Sequence, residues 1–395
     1  LLAAFPYVNG QLFAEQLPLA AFDSTMRDTL LDCSALDWSR ISPAIFGSLF
    51  QSIMDKKARR DLGAHYTSES NILKALRPLF LDELQAEFEK LRNKPRQLMD
   101  FHRKLADIHV FDPACGCGNF LVIAYRELRL LELEVLRELH KALQNRVLDV
   151  GELVWLNVDR FHGIELEEFP AQIAQVALWL TDHQKNLLVS EEFGLYLARL
   201  PLKTAPHILH DNALTMDWAT LIAPQQLSFI VGNPPFLGAK MLSEQQRQDV
   251  DTVFHDTHNA GLLDYVSCWY RKAVDYCAAN PAIRCAFVST NSITQGEQVG
   301  VLWGDLLARG IYLHFAHRTF QWNSEARGKA AVHCVIIGFG LQDNAEHWLY
   351  DYDTPKSEAT ALKVGRINPY LVDAPDILLP NRSKPICAVP EIGIG

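Results

Sequence analysis

The sequence has few features that would place it in a membrane or outside the cell. No apolar run in its 395 residues reaches the roughly 20 residues that a transmembrane helix needs, and it does not begin with a secretory signal peptide. Its eight cysteines form no CxxC pair and mostly lie in apolar segments. We therefore expect reduced, buried cysteines and a cytoplasmic protein without a membrane partner.

An excess of basic charge, typical of proteins that bind nucleic acid over their whole surface, is also absent. Asp and Glu number 47 against 37 Lys and Arg, which gives a net charge of −10. Most charge clusters are solvated surface, but a cleft can be basic inside an acidic molecule. Three clusters are candidates for phosphate contacts: Lys56-Lys57-Ala58-Arg59-Arg60, His317-Arg318 with Arg327 and Lys329, and Arg382-Ser383-Lys384.

Motifs for metal binding and DNA cleavage are missing as well. The single Pro-Asp pair, Pro375-Asp376, is not followed by the acid-x-Lys sequence of a nuclease, and Cys115 and Cys117 have no partner cysteines nearby. No Cys or carboxylate cluster completes a metal site around the three His pairs with a spacing of three residues. These pairs are His207/His210, His255/His258 and His314/His317. We expect neither a metal nor a nuclease in this segment.

The most informative motif is a short apolar strand that runs into two consecutive prolines. Residues 229–236 read Phe-Ile-Val-Gly-Asn-Pro-Pro-Phe, and Pro234 and Pro235 lack backbone N–H groups, so the strand must end there. This Asn-Pro-Pro-Phe turn presents the Asn233 amide, carbonyls without competing donors, and the Phe236 ring. Such groups suit a flat molecule with an exocyclic amine. The alternative is a turn that merely ends a buried strand.

A second motif lies upstream, in a segment that we call the small-residue loop (residues 112–119). Residues 108–121 read Ile-His-Val-Phe-Asp-Pro-Ala-Cys-Gly-Cys-Gly-Asn-Phe-Leu, which predicts a strand, this loop and a helix. Gly116 and Gly118 can adopt positive φ and let a ligand approach the backbone. The third glycine of a dinucleotide fingerprint is missing, and Asp112 would repel a phosphate and attract a sulfonium or amino group.

Strands alternate with helices along the chain, which indicates a doubly wound, mainly parallel sheet preceded by a helical segment over residues 1–62. The last two strands are separated by a turn-like stretch, so we expect an antiparallel end. Residues 347–352 allow one further strand, and the proline-rich residues 353–395 are typical of a linker. The predicted strands lie at 107–111, 160–165, 206–209, 227–232, 283–289, 311–316 and 331–339, and the predicted helices at 69–92, 119–147, 167–182, 243–254, 261–279 and 297–309.

The two motifs resemble motifs I and IV of the S-adenosylmethionine-dependent amino-methyltransferases of DNA. The small-residue loop precedes the Asn-Pro-Pro-Phe turn, which is the order of the gamma class of adenine-N6 enzymes. Three phrases resemble the methylase core of MmeI-like restriction–modification enzymes. They are Gly-Ala-His-Tyr-Thr-Ser at 63–68, Asn-Pro-Pro-Phe-Leu-Gly-Ala-Lys at 233–240, and Phe-Gln-Trp-Asn-Ser-Glu-Ala-Arg-Gly-Lys-Ala at 320–330.

The resemblance implies a Rossmann-like, class I S-adenosylmethionine-dependent methyltransferase fold. Residues 63–341 would form the catalytic domain, and residues 342–395 would lead toward a target-recognition domain that is absent or truncated. We expect this chain to be a piece of a longer polypeptide that methylates double-stranded DNA at specific sites, within a restriction–modification or phage-defence system. Any nuclease domain would also lie in the remainder of that polypeptide.

The same resemblance implies roles for the residues that would bind S-adenosylmethionine. Glu165, which ends Phe161-His-Gly-Ile-Glu165, would accept hydrogen bonds from the ribose hydroxyls, and Asp211 would contact the adenine amino group of the cofactor. Tyr66 and Thr67 would fold over its methionine end. The full set is Tyr66, Thr67, Asp112, Pro113, Ala114, Gly116, Gly118, Asn119, Phe120, Glu165, Asp211, Asn212 and Asn233.

The catalytic residues would be those of the Asn-Pro-Pro-Phe turn: Asn233, Pro234, Pro235 and Phe236. The target adenine would leave the duplex, because its N6 cannot be reached inside the stack, and would stack on Phe236. Phe320 would cover the opposite face of the base, with Trp322 as a rival for that role.

Other functions stay open at this level. Asn-Pro-Pro turns also serve methyltransferases that act on RNA or on the glutamine amide of proteins. Cytosine N4 is a second candidate amine, although those enzymes usually carry Ser at the position of Asn233. A non-catalytic module, in which S-adenosylmethionine regulates DNA binding, is the third alternative.

Overall fold

The computed structural model describes residues 23–36, 67–142, 154–194, 205–322, 332–355 and 357–379, together with residues 21, 45, 197, 387 and 388. Most of the predicted helical segment 1–62 lies outside these residues, as do Tyr66, the basic cluster at 56–60, Arg327, Lys329 and the cluster at 382–384.

A nine-stranded sheet is the centre of the described chain, in the order β3-β2-β1-β4-β5-β7-β6-β8-β9. Its first five strands are parallel, and β7 is antiparallel to both β5 and β6. The strands are β1 Val110–Asp112, β2 Phe161–Glu165, β3 His207–His210, β4 Phe229–Gly232, β5 Arg284–Thr290, β6 Tyr312–Trp322, β7 Val332–Gly340, β8 His347–Asp351 and β9 Thr360–Val364. The predicted doubly wound, mainly parallel sheet with an antiparallel end is confirmed.

Helices cover both faces of this sheet, as the buried central strands β1 and β4 require. Helix α5 packs against α6, α4 and α2. The described helices are α1 Ser24–Ser34, α2 Glu69–Leu76, α3 Asp82–Leu91, α4 Pro95–Ala106, α5 Asn119–Ala142, α6 Glu168–Phe193, α7 Glu244–Val253, α8 Ser267–Cys277 and α9 Glu297–Ala308. Among them, none combines the length and the apolar character that crossing a bilayer requires.

The helices differ from the prediction in four places, one of which is that the predicted helix 261–279 is shorter and is present as α8, Ser267–Cys277. The predicted helix 69–92 is present as α2 and α3, joined by a π-helical segment at Arg77–Leu81. Pro78 lies in that segment and lacks the N–H of an α-helical bond, so the wider turn lets the helix continue. Helix α6 extends to Phe193 rather than ending near 182, and it ends at Gly194 with φ +65°. Helix α4 was not predicted, although Pro95 at its first position is a common start signal.

The C-terminal region contains more regular structure than a linker. Strand β8 confirms the further strand that residues 347–352 allowed. Strand β9 lies inside the predicted linker and pairs antiparallel with β8, so residues 360–364 are part of the sheet. Four of the five β9 residues are exposed, and an exposed edge strand has no buried face to mark it in the sequence. The boundary at 342 itself stays a prediction.

Candidate active site

The parallel strands bring the predicted site residues to one edge of the sheet. Asp112 ends β1, Glu165 ends β2, and Asn233 directly follows β4, the strand that pairs with the other side of β1. The carboxyl ends of parallel strands, near the point where the strand order reverses, are where ligands bind in doubly wound folds. The candidate site is therefore formed by β1, β2 and β4 and the segments that follow them.

The small-residue loop is held against β2 by its backbone. Cys115 N donates to Ile164 O at 3.0 Å, and Gly116 N donates to Glu165 Oε2 at 2.8 Å. Gly118 has φ +82°, and a Cβ there would lie 2.9 Å from Ala174 Cβ, so only glycine lets the loop approach α6 this closely. Gly116 has φ +54°, and a Cβ there would meet no atom within 4 Å. Gly116 thus borders open space in which a ligand could lie.

Asp112 is a buried carboxyl group with an unusual ionisation. It is 1% exposed, and its Oδ1 accepts the Ala114 N–H at 3.0 Å. Burial raises its pKa to about 8; the hydrogen bond from Ala114 opposes the shift and the charge of Glu165 adds to it. The close approach of β4 depends on Gly232, since a Cβ there would lie 2.6 Å from Asp112 Oδ1. A cationic ligand beside Asp112 would favour the ionised form.

Glu165 is oriented by backbone donors on both of its oxygens. Oε1 accepts the Glu167 N–H at 3.0 Å and Oε2 accepts the Gly116 N–H at 2.8 Å. Burial raises its pKa, although these two hydrogen bonds oppose the shift. A carboxylate oxygen can accept more than one hydrogen bond, so both oxygens keep acceptor capacity for a vicinal diol.

The Asp211-Asn212 turn lies beside Glu165, as its predicted role requires. Asp211 N donates to Glu165 O at 2.9 Å. The Asp211 carboxylate is exposed and accepts the Asn212 N–H at 2.7 Å, while Asn212 Oδ1 accepts the Leu214 N–H at 2.9 Å. Both side chains therefore stabilise their own turn. Contact with a cofactor stays a prediction for both residues.

A hydrogen bond from Asn233 to Thr67 orients the side-chain amide of Asn233. Its Nδ2 donates to Thr67 Oγ1 at 3.1 Å. Its Oδ1 is buried and has no hydrogen-bond partner among the described residues. A buried carbonyl oxygen without a donor is costly, which is typical of a position where a ligand supplies the donor. Asn119 Oδ1, at the start of α5, is a second buried acceptor of this kind.

Trp269 supports the candidate site, and the sequence motifs did not indicate this role. Its Nε1, on α8, donates to Pro113 O in the small-residue loop at 3.0 Å. This bond ties the loop to α8, and Tyr265, just before α8, donates its N–H to Leu237 O directly after the Asn-Pro-Pro-Phe turn, so the two predicted motifs share a support. A tryptophan in an apolar helix gives no local signal of such a contact.

The two predicted base-stacking rings differ in their surroundings. Phe236 is 9% exposed, at the margin of the core. Phe320 is 1% exposed, its ring stacks on Tyr352 at 5.4 Å between centroids, and Lys74 Nζ lies 4.6 Å from its centroid. A base could reach Phe320 only after these contacts part, and its stacking role stays a prediction. Trp322 ends β6, and its side chain lies outside the described part of the structure.

His317 corrects one of the predicted basic clusters. It is buried, and its ring hydrogen-bonds to Tyr352 Oη at 2.8 Å and Lys74 O at 3.0 Å. Burial, with the nearby Lys74 charge, lowers its pKa to about 3, so it is neutral and cannot attract phosphate. Arg318 pairs with Asp351 at 3.0 Å. The prediction of a phosphate contact was therefore wrong for His317.

The described residues contain no group of three or more His, Cys, Asp or Glu side chains placed to hold a metal ion. In the described part of the structure none of the eight cysteines forms a disulfide; Cys33 and Cys387 are exposed and the other six are buried.

The strand order, the glycine loop after β1 and the acid after β2 define a class I methyltransferase fold. A family profile described as "MmeI, DNA-methyltransferase domain" matches residues 88–351. The chain belongs to this family.

Two relatives give the extent of the similarity. The type IIL restriction–modification enzyme MmeI, solved in complex with DNA, is 60% identical with a TM-score of 0.93, over 98% of this chain and 52% of that one. DNA methyltransferase A of Bacillus subtilis (strain 168) is 38% identical over 403 residues, which is 100% of this chain and 44% of that protein. The chain thus spans about half the length of these relatives.

The DrdV–DNA complex is a more distant similar structure. It shares the fold with a TM-score of 0.50 at 15% identity, over 86% of this chain and 34% of that one.

Proposed function

We propose that this chain is the catalytic part of a site-specific DNA methyltransferase that transfers a methyl group from S-adenosylmethionine to adenine N6. The observation that carries the proposal is the buried Oδ1 of Asn233, which has no hydrogen-bond partner among the described residues and is oriented by the bond to Thr67. Membership of the MmeI methyltransferase family supports the reaction type. Adenine, rather than cytosine, agrees with Asn at position 233.

The residues at the sheet edge fit S-adenosylmethionine. This cofactor, when bound, supplies an activated methyl group on a sulfonium. Glu165 offers two oriented oxygens to the ribose hydroxyls, and the open space at Gly116 leaves room for close approach to the backbone. Asp112 offers a buried carboxyl to the cationic end. Asp211 and Asn212 lie next to Glu165, where the adenine of the cofactor would follow its ribose.

Catalysis by this chain would consist of positioning and electrostatics. Asn233 Oδ1 and the Pro234 carbonyl accept the two N6 hydrogens of the adenine, which directs the nitrogen lone pair away from the ring plane. Phe236 stacks on the extruded base, and such stacking contributes roughly 1–3 kcal/mol per base. A neutral amide acceptor suffices because N6 loses its proton to solvent only after methyl transfer, when the nitrogen is cationic and strongly acidic.

We further propose that recognition of the DNA sequence belongs to a part of the natural polypeptide outside these 395 residues, and that it works in a cytoplasmic restriction–modification system. The net charge of −10 agrees with this division, since proteins that bind DNA over their whole surface carry an excess of basic charge. The relatives are about twice as long as this chain, which leaves room for such a domain.

The substrate is tested by offering the natural polypeptide labelled S-adenosylmethionine with duplex DNA, with structured RNA and with protein. Product nucleosides and amino acids are then identified by mass spectrometry. We expect N6-methyladenine in duplex DNA only. N4-methylcytosine, methylated RNA or methylglutamine as the main product would overturn the proposed substrate. Tight cofactor binding without any methylated product would favour the non-catalytic alternative.

A further inference from the structure

A buried aspartate behind the Asn-Pro-Pro-Phe turn holds the chain segment that follows the turn. Asp264 is 3% exposed and lies just before α8. Its Oδ1 accepts the Leu237 N–H at 2.9 Å, and Tyr265 N donates to Leu237 O at 3.0 Å. Both backbone hydrogen-bonding groups of Leu237, the residue after Phe236, are therefore held by two consecutive residues.

This anchor matters because the turn has few backbone donors of its own. Pro234 and Pro235 have no N–H, so neither residue can be tied down by donating to a neighbouring element. The first backbone N–H after the turn is that of Leu237, and it donates to the side chain of Asp264. Displacing Leu237 would shift the Phe236 ring directly, since the two residues share a peptide bond.

The opposite side of Asp264 is bonded to the carboxyl end of β5. Its Oδ2 accepts from Thr290 Oγ1 at 3.3 Å, and its backbone N donates to Gln298 Oε1, on α9, at 2.8 Å.

We propose that Asp264 is a positioning residue that fixes the Asn-Pro-Pro-Phe turn against the carboxyl end of β5, so that Phe236 and Asn233 meet the substrate base in one arrangement. The proposal rests on the proposed function for its catalytic consequence. Its geometric part, the anchoring of Leu237, stands on the contacts of Asp264 alone.

The pattern of bonds specifies the shape of the side chain rather than its charge. Oδ1 receives two backbone donors, from Leu237 and from Val266 at 3.3 Å. Oδ2 accepts from the hydroxyl groups of Thr290 and Ser292, at 3.3 and 3.5 Å, and a hydroxyl can either donate or accept. Burial also raises the pKa of Asp264. Asparagine could therefore replace it: Oδ1 keeps the backbone donors, and Nδ2 donates to the hydroxyls. Alanine would leave the Leu237 N–H without its acceptor.

The test compares Asp264→Asn and Asp264→Ala in the natural polypeptide. We expect Asp264→Ala to lower kcat for DNA methylation about tenfold or more, since small misplacements at a reacting centre cost this much. The dissociation constant for S-adenosylmethionine should change much less. Asp264→Asn should retain most of the wild-type kcat. Fluorescence of 2-aminopurine at the target position should show impaired base capture in the alanine variant alone.

Asp182 supplies the matched control. It is a buried aspartate on α6 that accepts from Arg129 Nη1 on α5 at 2.7 Å, and the hydrogen bonds described for its side chain all lie within α5 and α6. Asp182→Ala should lower the melting temperature without the selective loss of kcat. If the two alanine variants lost kcat in parallel with stability, or if Asp264→Ala kept kcat within about twofold, the positioning role would be overturned.

Hydrogen exchange separates this proposal from the proposed function. The amide of Leu237 should exchange faster in Asp264→Ala than in the wild type, and at the wild-type rate in Asp264→Asn. This readout needs no catalytic activity, so it decides the anchoring even if the wild type methylates nothing. If Asp264→Ala does not fold, Asp264→Ser replaces it, with the same expectation. Unchanged Leu237 exchange in a folded variant would contradict the proposal.

Discussion

Asn233 Nδ2 donates a hydrogen bond to Thr67 Oγ1 at 3.1 Å, although 166 positions separate the two residues. This bond joins the segment that leads into α2 to the turn that follows β4. Because the amide nitrogen is engaged, the amide oxygen has one orientation, and it is this oxygen that has no partner among the described residues. Thr67 therefore sets the direction in which Asn233 accepts.

Replacing Thr67 tests this orientation. Thr67→Val keeps the shape of the side chain but removes the acceptor, so the Asn233 amide would be free to rotate. A neutral hydrogen bond contributes about 0.5–1.5 kcal/mol, and we therefore expect kcat to fall about two- to tenfold. Thr67→Ser keeps the hydroxyl and should retain wild-type kcat. Equal rates for the valine and serine variants would show that the bond does not orient Asn233.

Asp112 should make the stability of the cofactor-free protein depend on pH. Its folded pKa of about 8 lies above its ordinary value, so its contribution is present in acid and is lost as pH rises toward about 8. Asp112→Asn cannot ionise. Its stability relative to the wild type should therefore increase with pH, by at most about 1.4 kcal/mol per pH unit. Calorimetric unfolding of both proteins from about pH 5 to 9 measures this difference, and a flat difference would contradict the shift.

The two glycines of the small-residue loop should respond differently to alanine. Gly118→Ala would place a methyl group 2.9 Å from Ala174 Cβ at φ +82°, so it should mainly lower the melting temperature. Gly116→Ala meets no atom within 4 Å, and its cost in stability should be limited to about 1–2 kcal/mol of backbone strain.

The Gly116 methyl group would instead enter the space proposed for S-adenosylmethionine. We expect the dissociation constant for S-adenosylmethionine, measured by calorimetry, to rise about tenfold or more in Gly116→Ala. Normal cofactor affinity in this variant would place the ligand elsewhere.

Phe236 and Phe320 should separate into a binding role and a packing role. Phe236→Leu should weaken 2-aminopurine capture, because base–aromatic stacking worth roughly 1–3 kcal/mol is lost. Phe320→Ala removes a ring that is 1% exposed and should cost about 3–5 kcal/mol of stability. Phe320→Leu keeps more of the packing. A selective loss of base capture in Phe320→Leu at near-normal melting temperature would instead support the stacking role predicted from the sequence.

The parts of the site that sequence could predict are those whose chemistry is local. Consecutive prolines after an apolar strand end that strand in any context, and Gly116 and Gly118 indicate positive φ without knowledge of the tertiary fold. The alternation of strands and helices is also visible in the sequence alone, and it predicts the parallel sheet.

The parts that sequence could not predict depend on distant partners. Nothing near Asp264 in the sequence indicates that it accepts from Leu237, and the burial of Phe320 depends on Tyr352, from the segment after β8. His317 looked basic beside Arg318, but the strand carries it into the core, where burial removes its charge. Successive side chains of a strand point to opposite faces of the sheet, so adjacent charged residues need not share one environment.

The most direct test of the account is single-turnover methyl transfer by Asn233→Ala beside the wild type, with cofactor affinity measured on the same preparations. The target is duplex DNA, and the product is quantified as N6-methyladenine. We predict that transfer is abolished or falls by at least about a hundredfold, while the dissociation constant for S-adenosylmethionine stays within about threefold. Near-normal transfer by Asn233→Ala would contradict the central claim that this amide presents the adenine for methylation.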